Sequence, residues 1–540
     1  MAVEDRSTGM SSQEDLGLEL KAGGLGSTGQ KLALATLCAV LFLTFLDNTI
    51  VSVGLANVQS DLHAGVTSLQ WVVNGYALTF ASFMLAAGMM GDLLGRKKVM
   101  LIGVAVFCGG SVVAATAVNV DWLIAGRVIM GLGAAASEPG TLSIIRHVYP
   151  DRGTRADALG VWAAVSGLAL ALGPVIGGAL VGFSSWRAIF WFNLVFGVLG
   201  FGLASVFVPE TSDRQGRRVD VAGFILGALF LFSASLAVIQ GEVSGYEAPW
   251  ILALFGVSAA SLVVFLVVEH RSESPMLELS LFRRPPFAGS TMVVFAAYFG
   301  TFSIFFFTAL YLQVVANASA YQTAVDFLPM AGGLILASAV TGPWVARGGP
   351  RVPMTIGCLL AGGGILATSA VLGPHADLGT LGWVLPIAGI GIGIVLVPVT
   401  SVPLTVVRPE RSGMAASATN TSREMGAVFG VAILGAIVNA KLTGGLAARL
   451  KAIGIPPSFQ NLVLHAVTTG GAGAGGAASQ AEHSKNAAIA RIATKVVNAA
   501  YEAFGSGLHL ALNISGALIL VGAAVAALTI HRTAGQTFEL

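Results

Sequence analysis

Apolar runs of about twenty residues, the length a helix needs to cross a bilayer at ~1.5 Å per residue, follow one another along the chain with short polar or basic breaks between them. Fourteen spans are predicted, near residues 32–56, 68–90, 99–118, 122–145, 157–182, 187–207, 220–240, 249–268, 287–314, 322–345, 353–372, 379–406, 412–440 and 507–530. Twenty Lys and Arg residues lie before the odd-numbered spans or after the last one, among them Arg96, Lys97, Lys98, Arg146, Arg152, Arg155, Arg214, Arg217, Arg218, Arg283 and Arg284. The other side holds Arg187 and six more in the 441–506 segment. Basic residues in short loops mark the cytoplasmic side, so both termini are expected there, in keeping with an even number of spans.

A weak internal repeat organises these spans. Gly88 and Gly95 lie seven apart before Arg96-Lys97-Lys98, and Gly342 and Gly349 lie seven apart before Pro350-Arg351. The two sites correspond if two six-span halves flank an inserted pair. The expected division is a tail at 1–31, an N-terminal bundle at 32–207, the inserted pair with its linkers at 208–286, a C-terminal bundle at 287–531 and a tail at 532–540. The polar, glycine-rich first thirty residues read as a cytoplasmic tail rather than a signal peptide. Duplicated halves point to a carrier working by alternating access, with its substrate site between them near the midplane. Within the long extracytoplasmic loop 441–506, Gly470–Ala478 is low-complexity sequence. Ala487–Phe504 carries a helical stripe of Ile489, Ile492, Val496 and Ala500, expected to pack along the outer interface.

Composition agrees: 540 residues, 55% hydrophobic and 10% charged, with a mean hydropathy of +0.81, describe a polytopic membrane protein. No basic run interleaved with aromatics suggests a nucleic-acid partner. Cys38, Cys108 and Cys358 all fall inside apolar runs, implying neither a disulfide framework nor a metal site. No G-x-x-x-x-G-K-[ST] phosphate loop is present, so no use of ATP is expected. A membrane-embedded enzyme finds no paired His/Cys ligands and no nucleophile elbow in the sequence.

Five charged residues fall at membrane depth. Asp47 lies about fifteen residues past Lys31, roughly 22 Å along a helix, where a carboxylate costs ~3 kcal/mol on insertion scales and is by default a functional candidate. Arg127 lies at a comparable depth in the fourth span, close enough for a buried pair with Asp47. Glu138, eleven residues on and about 20° round the same helix face, precedes Pro139. Two readings of Glu138 stand open: a cavity group that attracts cationic substrate or carries a second proton, or a protonated acid bonded to backbone carbonyls freed by the proline. Glu424 adjoins Arg423, about 18 Å from its span's cytoplasmic end, and either neutralises that arginine or carries a proton. Asp326 is expected to cap the N-terminus of the tenth span.

Three motifs carry a family resemblance. Gly88-Met-Met-Gly-Asp92-Leu-Leu-Gly95-Arg96-Lys97 resembles the cytoplasmic loop motif of the major facilitator superfamily, with Leu93 where the family usually has Arg. Gly160, Ala169 and Gly173-Pro174-Val-Ile-Gly177-Gly178 resemble its antiporter signature, with Ala169 at the middle Gly. Leu46-Asp47-Asn48-Thr49-Ile50-Val51, Trp71-Val-Val-Asn74-Gly-Tyr76, Trp186-Arg187 with Phe190 and Asn193, Phe327-Leu-Pro329 and Asn420-Thr-Ser-Arg423 are similar to the fourteen-span drug:proton antiporter family of multidrug efflux transporters.

The resemblance implies an all-α major facilitator fold, with two six-helix bundles and two inserted transmembrane helices. It implies a proton-coupled antiporter in the bacterial cytoplasmic membrane, exporting amphipathic drugs or toxic small molecules, with protons as coupling ion and no cofactor. Proton coupling is expected at Asp47 and Arg127 from the resemblance, and at Glu138 and Glu424 from their depth alone, since the family usually has a small or apolar residue and Gln at those two places. Candidate substrate-cavity residues are Asn48, Asn74, Tyr76, Glu138, Asn420 and Arg423. Gating falls to Gly88, Asp92, Gly95, Arg96 and Lys97, and the seal against leak to Gly160, Gly173, Pro174, Gly177 and Gly178. In this family Met130 stands where Gln is common, as Glu424 does. A monomer in the lipid bilayer is expected. A dedicated exporter of one endogenous antibiotic, lipid or siderophore, and a proton symporter, remain as alternatives.

Overall fold

The computed structural model describes residues 27–211, 220–272, 275, 277–372, 378–407, 412–453, 460 and 487–530. Among them every regular element is helical: α1 (Ser27–Ile50), a 3-10 turn (Val51–Gly54), α2 (Leu55–Leu62), α3 (Val66–Leu94), α4 (Arg96–Ala115), α5 (Val120–Val148), α6 (Arg152–Phe183), α7 (Arg187–Phe207), α8 (Val221–Ser244), α9 (Pro249–Arg271), a second 3-10 turn (Leu279–Arg283), α10 (Pro285–Val314), α11 (Ala320–Gly348), α12 (Arg351–Val371), α13 (Leu378–Val406), α14 (Ser412–Ala452) and α15 (Ala487–Thr529). Thirteen helices are long and apolar enough to cross a membrane among the described residues, and the 29-residue α3 stands where the second span is expected.

Local chemistry sets the helix ends. Asn119 Oδ1 accepts from the Trp122 amide at 2.8 Å, Asp220 Oδ1 from Gly223 at 2.7 Å, and prolines open α9 and α10. The cap of α11 is Ser319, whose hydroxyl accepts from Gln322 N while Gln322 Oε1 accepts from Ser319 N. Asp326 therefore lies in the second turn and is not the cap, because the Ser-x-x-Gln box satisfies the amides one turn earlier. At the basic ends, Gly95 (φ 110°) and Gly349 (φ 75°) adopt positive φ, which glycine takes without strain, at the two corresponding places of the repeat.

Helices α1 and α3–α7 pack among themselves, as do α10–α15. The two sets meet where α6 runs along α11 and α3 along α14. Small residues make the tightest contacts in both: a Cβ on Gly110 of α4 would lie 2.6 Å from Met130 N of α5, and one on Gly357 of α12 would lie 3.0 Å from Gly391 O of α13, the close approach that drives helix association in lipid. α8 leans on α3 and α14, and α9 on α8. The outward face of α9 leaves Trp250, Leu252, Val263 and Val267 exposed, as a lipid-facing helix requires.

Two helices run past the expected span ends. α14 is 41 residues long and α15 is 43, so 487–504 continues α15 instead of lying along the interface. The stripe on that segment finds a partner stripe: Leu442, Leu446 and Leu450 are buried in one cluster with Ala499, Ala503 and Phe504, with Val496 and Ala500 packed against it, and Arg449 Nε lies 3.3 Å from Glu502 Oε2. Gly470–Ala478 lies outside the described residues.

Candidate proton and substrate site

The first span breaks where it carries its charge. Ile50 ends α1, and the buried turn Val51–Gly54 tightens to 3-10 geometry before α2 resumes, a local form that often marks a hinge. Gln313 Nε2 of α10 donates to the Val53 carbonyl at 2.7 Å, tying the turn to the other helix set. Three residues before that break, Asp47 is fully buried. Its Oδ2 accepts from Arg127 NH1 of α5, and its Oδ1 accepts from Asn193 Nδ2 of α7 at 2.6 Å. Arg127 Nε donates to Val72 O at 2.9 Å, and its guanidinium lies 4.4 Å over the Tyr76 ring. Tyr76 in turn donates to Thr44 O at 2.9 Å. A charge pair in hydrocarbon is tolerable only when its remaining polar atoms are satisfied in this way. Asn193 was identified only as part of a motif, and its hydrogen bond to Asp47 spans 146 positions.

A second buried cluster joins the two helix sets. Arg423 of α14 donates from NH2 to Glu138 of α5 at 3.1 and 3.3 Å, from Nε to Glu424 Oε1 at 3.0 Å and from NH1 to Asn420 Oδ1 at 3.2 Å. Its guanidinium is 4.4 Å from the Phe45 ring and 5.7 Å from the Tyr298 ring. Among the described residues Glu138 is thus paired with Arg423 rather than bonded to carbonyls freed by Pro139. An arginine 285 residues away claims both its oxygens, because a buried guanidinium needs planar acceptors.

Of the other cavity candidates, Asn48 lies near Thr44 O at 3.5 Å. Asn74 is fully buried, with neither side-chain amide atom partnered.

The seal residues divide. A Cβ on Gly173 would lie 2.9 Å from Ile50 N and collide with the Thr49 hydroxyl, and one on Gly177 would lie 2.8 Å from Val53 Cγ2. Gly178 faces the other helix set, with a Cβ there 2.5 Å from Ala320 O. Gly160 meets nothing within 4 Å. Pro174 stands inside α6, between the Gly173 and Gly177 contacts.

In the gating motif, Glu210 supplies what the sequence reading missed. It accepts from Lys97 N at 3.1 Å and Lys98 N at 3.2 Å, at the start of α4 where unpaired amides favour an anion. Arg96 N donates to Thr211 O at 2.8 Å, Lys97 Nζ to Ser205 O at 2.8 Å, and Gly88 packs near Pro139. The side chain of Asp92 lies outside the described residues. The available signal was an acid just past the sixth apolar run, opposite the basic loop. Among the described residues no group of three His, Cys, Asp or Glu side chains is placed to hold a metal.

Residues 37–431 match the model of the family described as Major Facilitator Superfamily. The chain is 32% identical to "Multidrug resistance protein Stp" of Mycobacterium tuberculosis over 81% of this chain and 80% of that protein. It is 32% identical to "Methylenomycin A resistance protein" of Bacillus subtilis over 77% and 89%, and 28% identical to "Tetracenomycin C resistance and export protein" of Streptomyces glaucescens over 94% and 93%. Among solved structures, a bacterial homolog to the human lysosomal transporter Spinster, in an inward-facing and unoccupied conformation, aligns with a TM-score of 0.61 at 17% identity, covering 94% of this chain and 99% of that one.

Proposed function

Because the chain belongs to the major facilitator superfamily, we propose that it exports amphipathic drugs or toxic small molecules across the bacterial cytoplasmic membrane in exchange for protons. The observation that carries this reading is the Asp47–Arg127 pair, fully buried and placed three residues before a break in its own helix. A proton arriving at Asp47 removes the charge that holds Arg127, and the loss is felt at the hinge. The hinge backbone at Ile50 lies against Gly173 and Gly177 of α6, which also bears on α11 of the other set. Protonation, helix bending and relative movement of the two halves are linked through that contact. The halves follow residues 32–207 and 287–531, and the pair within 208–286 flanks them. In this reading the basic ends of the helices and both termini face the cytoplasm, as the distribution of Lys and Arg supports, and the unit of transport is the monomer.

A narrower reading, dedicated export of one compound, draws support from relatives named for resistance to single antibiotics. Cells expressing the chain, loaded with a panel of fluorescent and antibiotic compounds, separate the two. Energy-dependent efflux of several unrelated compounds, collapsing with a protonophore, supports the broad reading. Efflux of one compound alone supports the narrow one. Efflux that persists without a proton gradient refutes both.

A further inference from the structure

The buried charges in the two clusters do not balance. Asp47 and Arg127 neutralise one another, but Arg423 is a single cation held by two carboxylates, Glu138 and Glu424. All three are buried to within a few per cent of their surface, and Glu424 Oε2 is buried without a partner. A surplus negative charge with an unpartnered oxygen is strongly unfavourable there. The two acids also belong to different parts of the molecule. Glu138 is on α5, in the first helix set, while Glu424 adjoins Arg423 on α14, in the second.

From this geometry we propose that Glu138, Arg423 and Glu424 form a second proton-binding site, complete only while the two halves are joined there, so that joining takes up one proton. The proposal deepens the antiport reading above and rests on it for its physiological meaning. In the joined arrangement Arg423 serves Glu138 across the interface, and the proton resides on Glu424, whose Oε1 still accepts from Arg423 Nε at 3.0 Å. When the halves part, Glu138 turns to a hydrated surface and needs no cation. Arg423 keeps Glu424 as its own neighbouring counter-ion, which must then be ionised, and the proton leaves. Glu424 thereby makes Arg423 self-sufficient at the moment its cross-interface partner is withdrawn.

Tyr298 comes from α10 and Tyr76 from α3, with Asp47 and Arg127 beyond Tyr76. Residues 378–406 of α13 and 221–241 of α8 contain no ionisable residue, and His509 is the one such residue in 507–529 of α15.

The test reads distance, not transport. Spin labels at Thr154→Cys and Thr405→Cys, exposed near the basic ends of α6 and α13, are placed in full-length protein with Cys38, Cys108 and Cys358 replaced by Ala. An Asp47→Asn background removes that carboxyl as a source of pH response. One coupled proton predicts that the ratio of short to long distances rises by up to about tenfold per pH unit of acidification. Glu424→Gln is expected to hold the short distance and abolish the response, and Glu138→Gln to depopulate the short distance at every pH. A pH response unchanged by Glu424→Gln, or a short-distance population unchanged by Glu138→Gln, overturns the proposal. If Glu424→Gln does not fold, Glu424→Asp must retain the response with a displaced midpoint, and an undisplaced midpoint likewise overturns it. No substrate is present, so failure here is distinct from failure of drug export in cells.

Discussion

Substituting alanine at Gly173 and at Gly160 of the same helix makes an internally controlled perturbation. Both changes gain the same helix propensity, up to about 1 kcal/mol, so the difference between them isolates packing. At Gly160 the added Cβ meets nothing within 4 Å. At Gly173 it lands 2.9 Å from Ile50 N and against Thr49 Oγ1, the hydroxyl that donates to Leu170 O at 2.9 Å. Overpacking of this kind costs about 1–3 kcal/mol, and a displaced interhelical hydrogen bond in a membrane protein adds about 0.6 kcal/mol. Gly173→Ala should therefore be about 2–3 kcal/mol less stable than Gly160→Ala, roughly a 30- to 150-fold difference in the unfolding equilibrium. Unfolding in mixed micelles of increasing denaturing detergent, followed by helix signal, measures it. Equal stability of the two variants would refute the claim that this face of α6 is packed against the hinge of the first span.

Other predictions follow the same logic. Glu210→Ala removes the anion at the start of α4 and should cost about 1 kcal/mol, seen as faster hydrogen exchange at Lys97 and Lys98 with unchanged exchange in α12. Asn193→Leu takes away a hydrogen bond to a buried charge, worth about 1.5–3 kcal/mol, and should slow proton-driven exchange measured in vesicles while Asn193→Ser retains part of it. Glu502→Ala breaks an ion pair whose side chains are 36% and 53% exposed. It should change stability by less than about 1 kcal/mol and leave efflux untouched, which a dose–response comparison in cells checks.

The sequence carried the architecture because the bilayer imposes it. Hydrocarbon demands continuous apolar helices, so spans such as 187–207 are legible to the residue, and the turn glycines Gly95 and Gly349 betray the repeat. Interior charges were legible as individuals, since each stands out against apolar neighbours. Partnership was legible only where depth along two helices could be compared, as for Asp47 and Arg127. The Glu138–Arg423 contact required knowing that α5 and α14 face each other, which no periodicity reports. Asp326 reads as a cap only until the Ser-x-x-Gln box just before it is weighed, and Glu210 acquires its role through a tertiary contact. The packing of 487–504 against the end of α14 is not legible in the sequence, because a short amphipathic stripe looks alike on a lipid surface and on another helix.

The central claim, that Asp47 couples protons to export, is tested most directly in proteoliposomes with an imposed pH gradient and a substrate identified in the cellular panel. Wild-type protein should accumulate that substrate against its gradient when the proton gradient is present. Asp47→Asn, inserted and folded as the wild type, should still bind and equilibrate the substrate but accumulate none. Uphill accumulation by Asp47→Asn at the wild-type level would contradict the account.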